Sequence, residues 1–170
     1  MVSLTSPTHT EQRSSEIASP ELKVLAVIDG TERTGRIIDY ALRLKKHGNI
    51  LRVVLLGIVP APPTDRLRGY GTFKQVEIHG WLRDSMRQRS VSAVARRLDH
   101  EKIAHVDRVE VGDPAATIVR VAREEGVDLI LIGDAPPSIV QRMLPAIGLS
   151  VATITSQVVQ RATIPVVVVK

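Results

Sequence analysis

Apolar residues in this chain gather into short runs, and the stretches between them keep the spacing of helices. Two of the runs, Leu129–Ile132 and Val166–Val169, are too short for a buried helix and show no alternation. They read as strands covered on both faces. Between them lie a loop punctuated by Gly and Pro and then a helical segment, which gives strand, loop, helix, strand, the unit of a parallel sheet. In open sheets of this kind a ligand sits beyond the carboxyl ends of the strands. The loop after Ile132 is therefore the first place to look for a binding site.

The rest of the chain follows the same alternation. Residues 1–20 are rich in Ser, Thr, Pro and charge, with little to bury, and are expected to form a flexible tail before one domain over 21–170. Lys23–Ile28 is a first strand running into the tight turn at Asp29 and Gly30. Thr31 or Thr34 caps the next helix, where Ile37, Ile38, Ala41, Leu42 and Leu44 keep helical spacing until His47 and Gly48 stop it. Ile50–Val59 is a second buried strand, broken by Pro60–Pro63, and Thr64–Phe73 reads as an irregular loop. A long helix is expected from about Lys74 to Asp99, with Val76, Trp81, Leu82, Met86, Val94 and Leu98 as its discontinuous apolar face and Gly80 as the place of a break or kink. Trp81 is expected to pack into the core rather than to form a lid.

His105–Val111 alternates, with Val106, Arg108 and Glu110 on one side and Asp107, Val109 and Val111 on the other, so it belongs at a sheet edge. Asp113 and Pro114 mark a helix start: the carboxylate caps, and the proline has no amide to satisfy. That helix, Ala115–Glu125, is expected to bury Ile118, Val119 and Ala122 and to end at Gly126. A last helix from Ser150 or Thr153 to Arg161 precedes a fifth strand, Pro165–Val169. Five strands interleaved with four helices through right-handed crossovers make one α/β fold, an open doubly wound sheet with helices on both faces.

Composition removes several chemistries. The 170 residues include no cysteine, which excludes disulfides and thiol nucleophiles, and the five histidines lack the spacing of a metal site. No run approaches the roughly 20 apolar residues of a membrane span, and the N-terminus lacks a signal-peptide core, so a cytoplasmic protein is the expectation. The net charge of +5 raises the question of nucleic acid, but two Tyr, one Phe and one Trp are too few for a base-stacking platform. Arg83, Arg87, Arg89, Arg96 and Arg97 read better as a solvated helix surface than as a nucleic-acid or acidic-partner site. Ser138, Ser150 and Ser156 lack a nucleophile-elbow setting, and no residues form a catalytic constellation.

Four pieces of the chain then resemble one family. They are Val24–Thr31 for the opening strand and its acidic turn, Val111–Pro114, Val127–Gly133, and the closing Ile164–Val169. Together, in this order and at nearly this spacing, they resemble the universal stress protein family over about Lys23 to Lys170. The resemblance implies a flavodoxin-like sheet of strand order 3-2-1-4-5. It also implies a homodimer made through the last strand, Pro165–Lys170, which agrees with the liability of an unpaired valine edge.

Many members of that family bind ATP through G-x2-G-x9-G-[S/T] after the fourth strand, where glycines let the backbone approach phosphates. This chain keeps Gly133, but Pro136 stands at the second glycine and offers no N–H. Counted forward, Gly148 is nearest the third glycine, with eleven residues after Pro136 instead of nine and no hydroxyl following. Counted back from Pro165, Ala152-Thr153 matches, keeping the hydroxyl and losing the glycine. No lysine lies in 134–150, and Asp134 adds negative charge. By the same resemblance Asp29 approaches an adenine, Ile58 forms an apolar wall, and Val27, Ile132 and Gly133 line the remainder. Asp29 is equally a turn and helix-start residue, and Gly133 equally a plain strand-end glycine. Ile139, Val140, Met143 and Leu144 in the 136–148 insertion have amphipathic spacing and are expected to bury themselves within the protein. The expected function is a non-catalytic, dimeric stress or signalling protein with weak or absent ATP binding. The alternative is a member that binds ATP or another adenine nucleotide through a remodelled phosphate loop.

Overall fold

The apolar runs pair side by side into a single parallel sheet. The computed structural model describes residues 21–47, 50–60, 72–134 and 153–170. Strands β1 (Glu21–Ile28), β2 (Ile50–Val59), β3 (Ala104–Val111), β4 (Leu129–Gly133) and β5 (Val166–Val169) lie in the order β3-β2-β1-β4-β5. The register sets Val24 beside Val53 and Leu129, and Leu131 beside Val167. Around the sheet are helices α1 (Glu32–Lys46), α2 (Thr72–Met86), α3 (Ser92–His100), α4 (Pro114–Glu125) and α5 (Ile154–Arg161). The order is the one that the family resemblance implies, with the alternating strand β3 at an edge, as its pattern requires.

Side chains of successive strand residues leave on opposite faces, which sorts the core into two layers. Val24, Ala26 and Ile28 of β1 meet Ile37, Ile38 and Ala41 of α1 and Val94 and Leu98 of α3. On the other face Leu25, Val54, Leu56, Ile130 and Ile132 meet Ala115, Ile118, Val121 and Ala122 of α4 and Val158 of α5. The helix after β1 thus leaves on one face and the helix after β4 on the other. The carboxyl ends of these two neighbouring strands form the switch point, where an open sheet leaves a crevice.

Several expectations of local structure are corrected. The long helix starts at Thr72 and ends at His100, and its irregularity is a π-helical segment, Arg87–Val91, rather than a kink at Gly80. Trp81 and Val76 are 67% and 66% exposed, so neither packs into the core. Val76 and Val94 stand about five ideal turns apart and would share one face of an unbroken α-helix. The wider π turn between them rotates that register, so that Ser90, Val91 and Val94 face inward while Val76 does not. In α4, Val121 is buried and Val119 only half-buried, because the stripe runs through Ile118, Val121 and Ala122. Residues 1–20 and the 136–148 insertion, for which a tail and self-burial were expected, lie outside the described residues.

A lattice of ion pairs fastens α4 to the sheet. Arg108 of β3 donates to Glu110 at 2.8 Å and to Glu124 and Glu125 at 3.0 Å each. Arg120 joins Glu124 at 2.7 Å and Glu110 at 3.3 Å, and Lys23 of β1 joins Glu125 at 3.2 Å. Burial pushes the Glu110 carboxyl up, but the Arg108 and Arg120 guanidiniums outweigh it and hold it below its ordinary value. Hydrogen bonds from Arg120 and from Lys23 likewise lower Glu124 and Glu125.

Candidate functional site

The turn after β1 is built by mutual capping. Gly30 takes φ +74°, a conformation that a residue with a Cβ adopts only with strain. Thr31 is the N-cap of α1, its hydroxyl accepting from Arg33 N at 3.3 Å. Thr34 does not cap but locks the turn from inside: its Oγ1 accepts from Asp29 N and Gly30 N, both at 3.1 Å. The Asp29 carboxylate is held by the same residues. Its Oδ1 accepts from Thr31 N at 3.0 Å, Thr31 Oγ1 at 2.7 Å and Thr34 Oγ1 at 3.1 Å. Its Oδ2 accepts from Arg33 Nη2 at 2.6 Å and Nε at 3.1 Å. Partial burial pushes this carboxyl up, but hydrogen bonds from Thr31 and then Arg33, with the Arg33 charge, bring it down to about 2. Asp29 is therefore ionised across the physiological range.

Beside this turn lies a crevice of about 280 Å³ at the carboxyl ends of β1 and β4. Val27 and Ile58 form apolar walls, Ile132 and Gly133 the β4 side, and Asp29 and Arg33 the polar rim. The structure therefore gathers five of the sequence-predicted residues, Val27, Asp29, Ile58, Ile132 and Gly133, around one cavity. Thr153 is not on its wall. It is the N-cap of α5, accepting from Ser156 N at 3.1 Å, and the two residues after it, Ile154 and Thr155, reach the cavity instead. Gly148 and Pro136 lie outside the described residues.

Sequence reasoning passed over Arg33, Pro60, Pro114, Ile118 and Thr155, all of which line the cavity. Arg33 was detectable: it stands four residues after Asp29 at the start of a helix, the spacing of an ion pair across one turn. Its stem also explains a small residue at the end of β4. A Cβ added to Gly133 would come within 3.0 Å of Arg33 Cβ and 3.3 Å of Arg33 Cδ. Thr155 carries no such signal, since only the fold brings its hydroxyl to 3.5 Å from the Gly133 carbonyl oxygen.

Chemically the crevice can hold a flat apolar group between aliphatic walls, with a carboxylate and a guanidinium at one end. Among the described residues no three His, Asp or Glu side chains cluster as a metal site would require. Ser156 spends its hydroxyl on the Thr153 carbonyl oxygen at 2.9 Å, a cap interaction. Among the described residues no helix is long and apolar enough to cross a membrane. The five arginines at 83, 87, 89, 96 and 97 are exposed, and Arg97 pairs with Asp39.

Comparison with known proteins gives a family and a fold. The model of the universal stress protein family matches residues 22–170. Among solved structures, the hypothetical protein MJ0577 superposes with a TM-score of 0.65 at 22% identity, covering 87% of this chain and 94% of that one. The universal stress protein from Archaeoglobus fulgidus in complex with dAMP gives 0.56 at 18% identity, covering 89% and 98%. A universal stress protein family protein from Arabidopsis thaliana with AMP bound gives 0.55 at 12% identity, covering 88% and 91%. No curated protein matches the chain.

Proposed function

The chain belongs to the universal stress protein family, and we propose that within it this protein is a non-catalytic, dimeric stress or signalling protein of the cytoplasm whose crevice takes an adenine mononucleotide and grips ATP weakly or not at all. The observation that carries this is the apolar cavity between β1 and β4 with Asp29 at its rim, a shape suited to a purine ring. The relatives with dAMP and AMP bound support the choice of ligand class. The weak hold on a triphosphate rests on sequence, on Pro136 in place of a glycine and on the absence of lysine from 134–150. Among the described residues the crevice lining holds no nucleophile paired with a base and no cluster of metal ligands, which supports a binding rather than a turnover role. Isothermal titration tests the reading. AMP is expected to bind, with ATP no tighter; ATP bound clearly more tightly than AMP overturns it and favours the remodelled phosphate loop.

The dimer is supported by the edge that β5 presents. The Pro165 and Val169 carbonyls accept from Ile130 N and Asp134 N of the β4 side at 3.0 and 2.9 Å. By the two-residue period, Val166 and Val168 turn their N–H and C=O groups to the open edge. A row of groups unpaired among the described residues and flanked by valines is a template for a second copy. Native mass spectrometry reads the subunit count together with any retained nucleotide, and a strictly monomeric protein at micromolar concentration rejects this part.

A further inference from the structure

Asp29 has no acceptor direction to spare. Three donors from Thr31 and Thr34 converge on Oδ1 and two from Arg33 on Oδ2, against the roughly four lone-pair directions that a carboxylate offers. An exocyclic amine entering the crevice therefore finds its acceptor occupied. The Thr31 and Thr34 donors belong to the turn that holds α1 in place and cannot leave without undoing it. Arg33 alone among these donors sits at the end of a long, rotatable side chain. Its stem packs over Gly133 at the end of β4, and it is the only cation among the described residues lining the cavity. Resting on the reading of the crevice as an adenine-nucleotide site, we infer that Arg33 is an exchangeable latch, which leaves Asp29 for the phosphate of an incoming mononucleotide and thereby frees the carboxylate to accept the amine of the base.

The exchange is cheap because the latch is a surface pair. The Arg33 and Asp29 side chains are 27% and 44% exposed, and pairs at such sites contribute little net stability. A phosphate presents the guanidinium fork with an acceptor at least as good as the carboxylate it gives up. Selectivity follows from the coupling. A nucleoside has the amine but leaves the displaced guanidinium without an anion, and a free phosphate has no amine to offer Asp29. Only a ligand carrying both completes the swap. Arg33 thereby selects against adenosine and against inorganic phosphate, while a base with a carbonyl at the amine position meets a carboxylate that repels it.

The test is calorimetric titration of the full chain and of Arg33→Ala and Arg33→Lys with AMP and with adenosine. Wild type is expected to bind AMP at least tenfold more tightly than adenosine. Arg33→Ala is expected to lose roughly tenfold for AMP, the worth of a charge-assisted hydrogen bond, while adenosine binds as well or better because Asp29 is unlatched. Arg33→Lys, a point charge without the fork, is expected to fall between. In wild type, saturation with AMP is expected to raise the Asp29 carboxyl titration followed by carbon NMR, because the cation has moved away. An unchanged AMP-to-adenosine ratio in Arg33→Ala, or equal weakening of both ligands, overturns the latch while leaving the nucleotide site standing. Wild type that binds neither ligand overturns the site and the latch together.

Discussion

Replacing Gly30 by alanine tests the turn on which the site depends. Two independent penalties apply. At φ +74° a side chain costs about 1–2 kcal/mol from its Cβ against the backbone. The added Cβ would also lie 2.3 Å from Ser90 Oγ and 3.2 Å from Ser90 Cβ, and Ser90 is held in the π segment at 8% exposure with little room to move. Overpacking of that kind costs about 1–3 kcal/mol, so Gly30→Ala is expected to destabilise by about 2–5 kcal/mol. The two terms separate in a double-mutant cycle with Ser90→Ala. Ser90→Ala alone should cost no more than about 1 kcal/mol, the net worth of one neutral hydrogen bond. In the Gly30→Ala background the same change removes the 2.3 Å clash and should return about 1–2 kcal/mol, leaving the backbone term. Urea unfolding of the four proteins, with midpoints and slopes compared, measures this coupling. Additivity within about 0.5 kcal/mol would show that the turn does not press on the π segment, and the reasoning would fail.

Three further outcomes are expected. Ile130→Ala, at a fully buried position in the interior strand β4, should cost about 2–5 kcal/mol by urea unfolding; a loss below about 1 kcal/mol would contradict the packing described. Acid should destabilise the protein: Asp29, lowered to about 2, and Glu110, Glu124 and Glu125, also lowered, contribute stability that is complete above their unfolded values and lost as pH falls through the folded ones. The unfolding midpoint should therefore drop from about pH 5 downward, and Arg108→Ala should flatten that slope, whereas an unaltered slope would deny the lattice its role. Val168→Pro removes an N–H that faces the open edge of β5 rather than β4, and should abolish the proposed dimer by native mass spectrometry without unfolding the chain.

The sheet was legible because its strands announce themselves. Ile50–Val59 and Leu129–Gly133 are apolar without alternation, which leaves few alternatives to a strand covered on both faces. The helix starts at Thr31 and Asp113 were legible for a different reason, since a cap is a local hydrogen bond between residues two or three apart. The π segment was not legible, because its residues, Arg87–Val91, carry the same polar and apolar types that any surface helix carries. The segment does lie close against the neighbouring layer. Gly30 meets Ser90, and a Cβ on Gly57 would lie 3.2 Å from Met86 Cγ and 3.4 Å from Val91 Cγ2. Contacts between residues so far apart in the chain cannot be read from periodicity. The same holds at the crevice: its apolar walls, Val27, Ile58 and Ile132, were expected from the family resemblance, whereas Thr155 arrives only when α5 docks.

The charges along α4 have a consequence for the crevice. Residues 114–119 carry none, and Pro114 and Ile118 stand at the cavity wall, while Arg120, Glu124 and Glu125 are tied to β1 and β3. The helix is thus tied to the sheet by charge over its second half, while its first turn, about 15 Å away at 1.5 Å per residue, is held by the apolar packing of Ala115 and Ile118. Salt that screens the ion pairs therefore acts on the half remote from the crevice and leaves the wall residues in their packing.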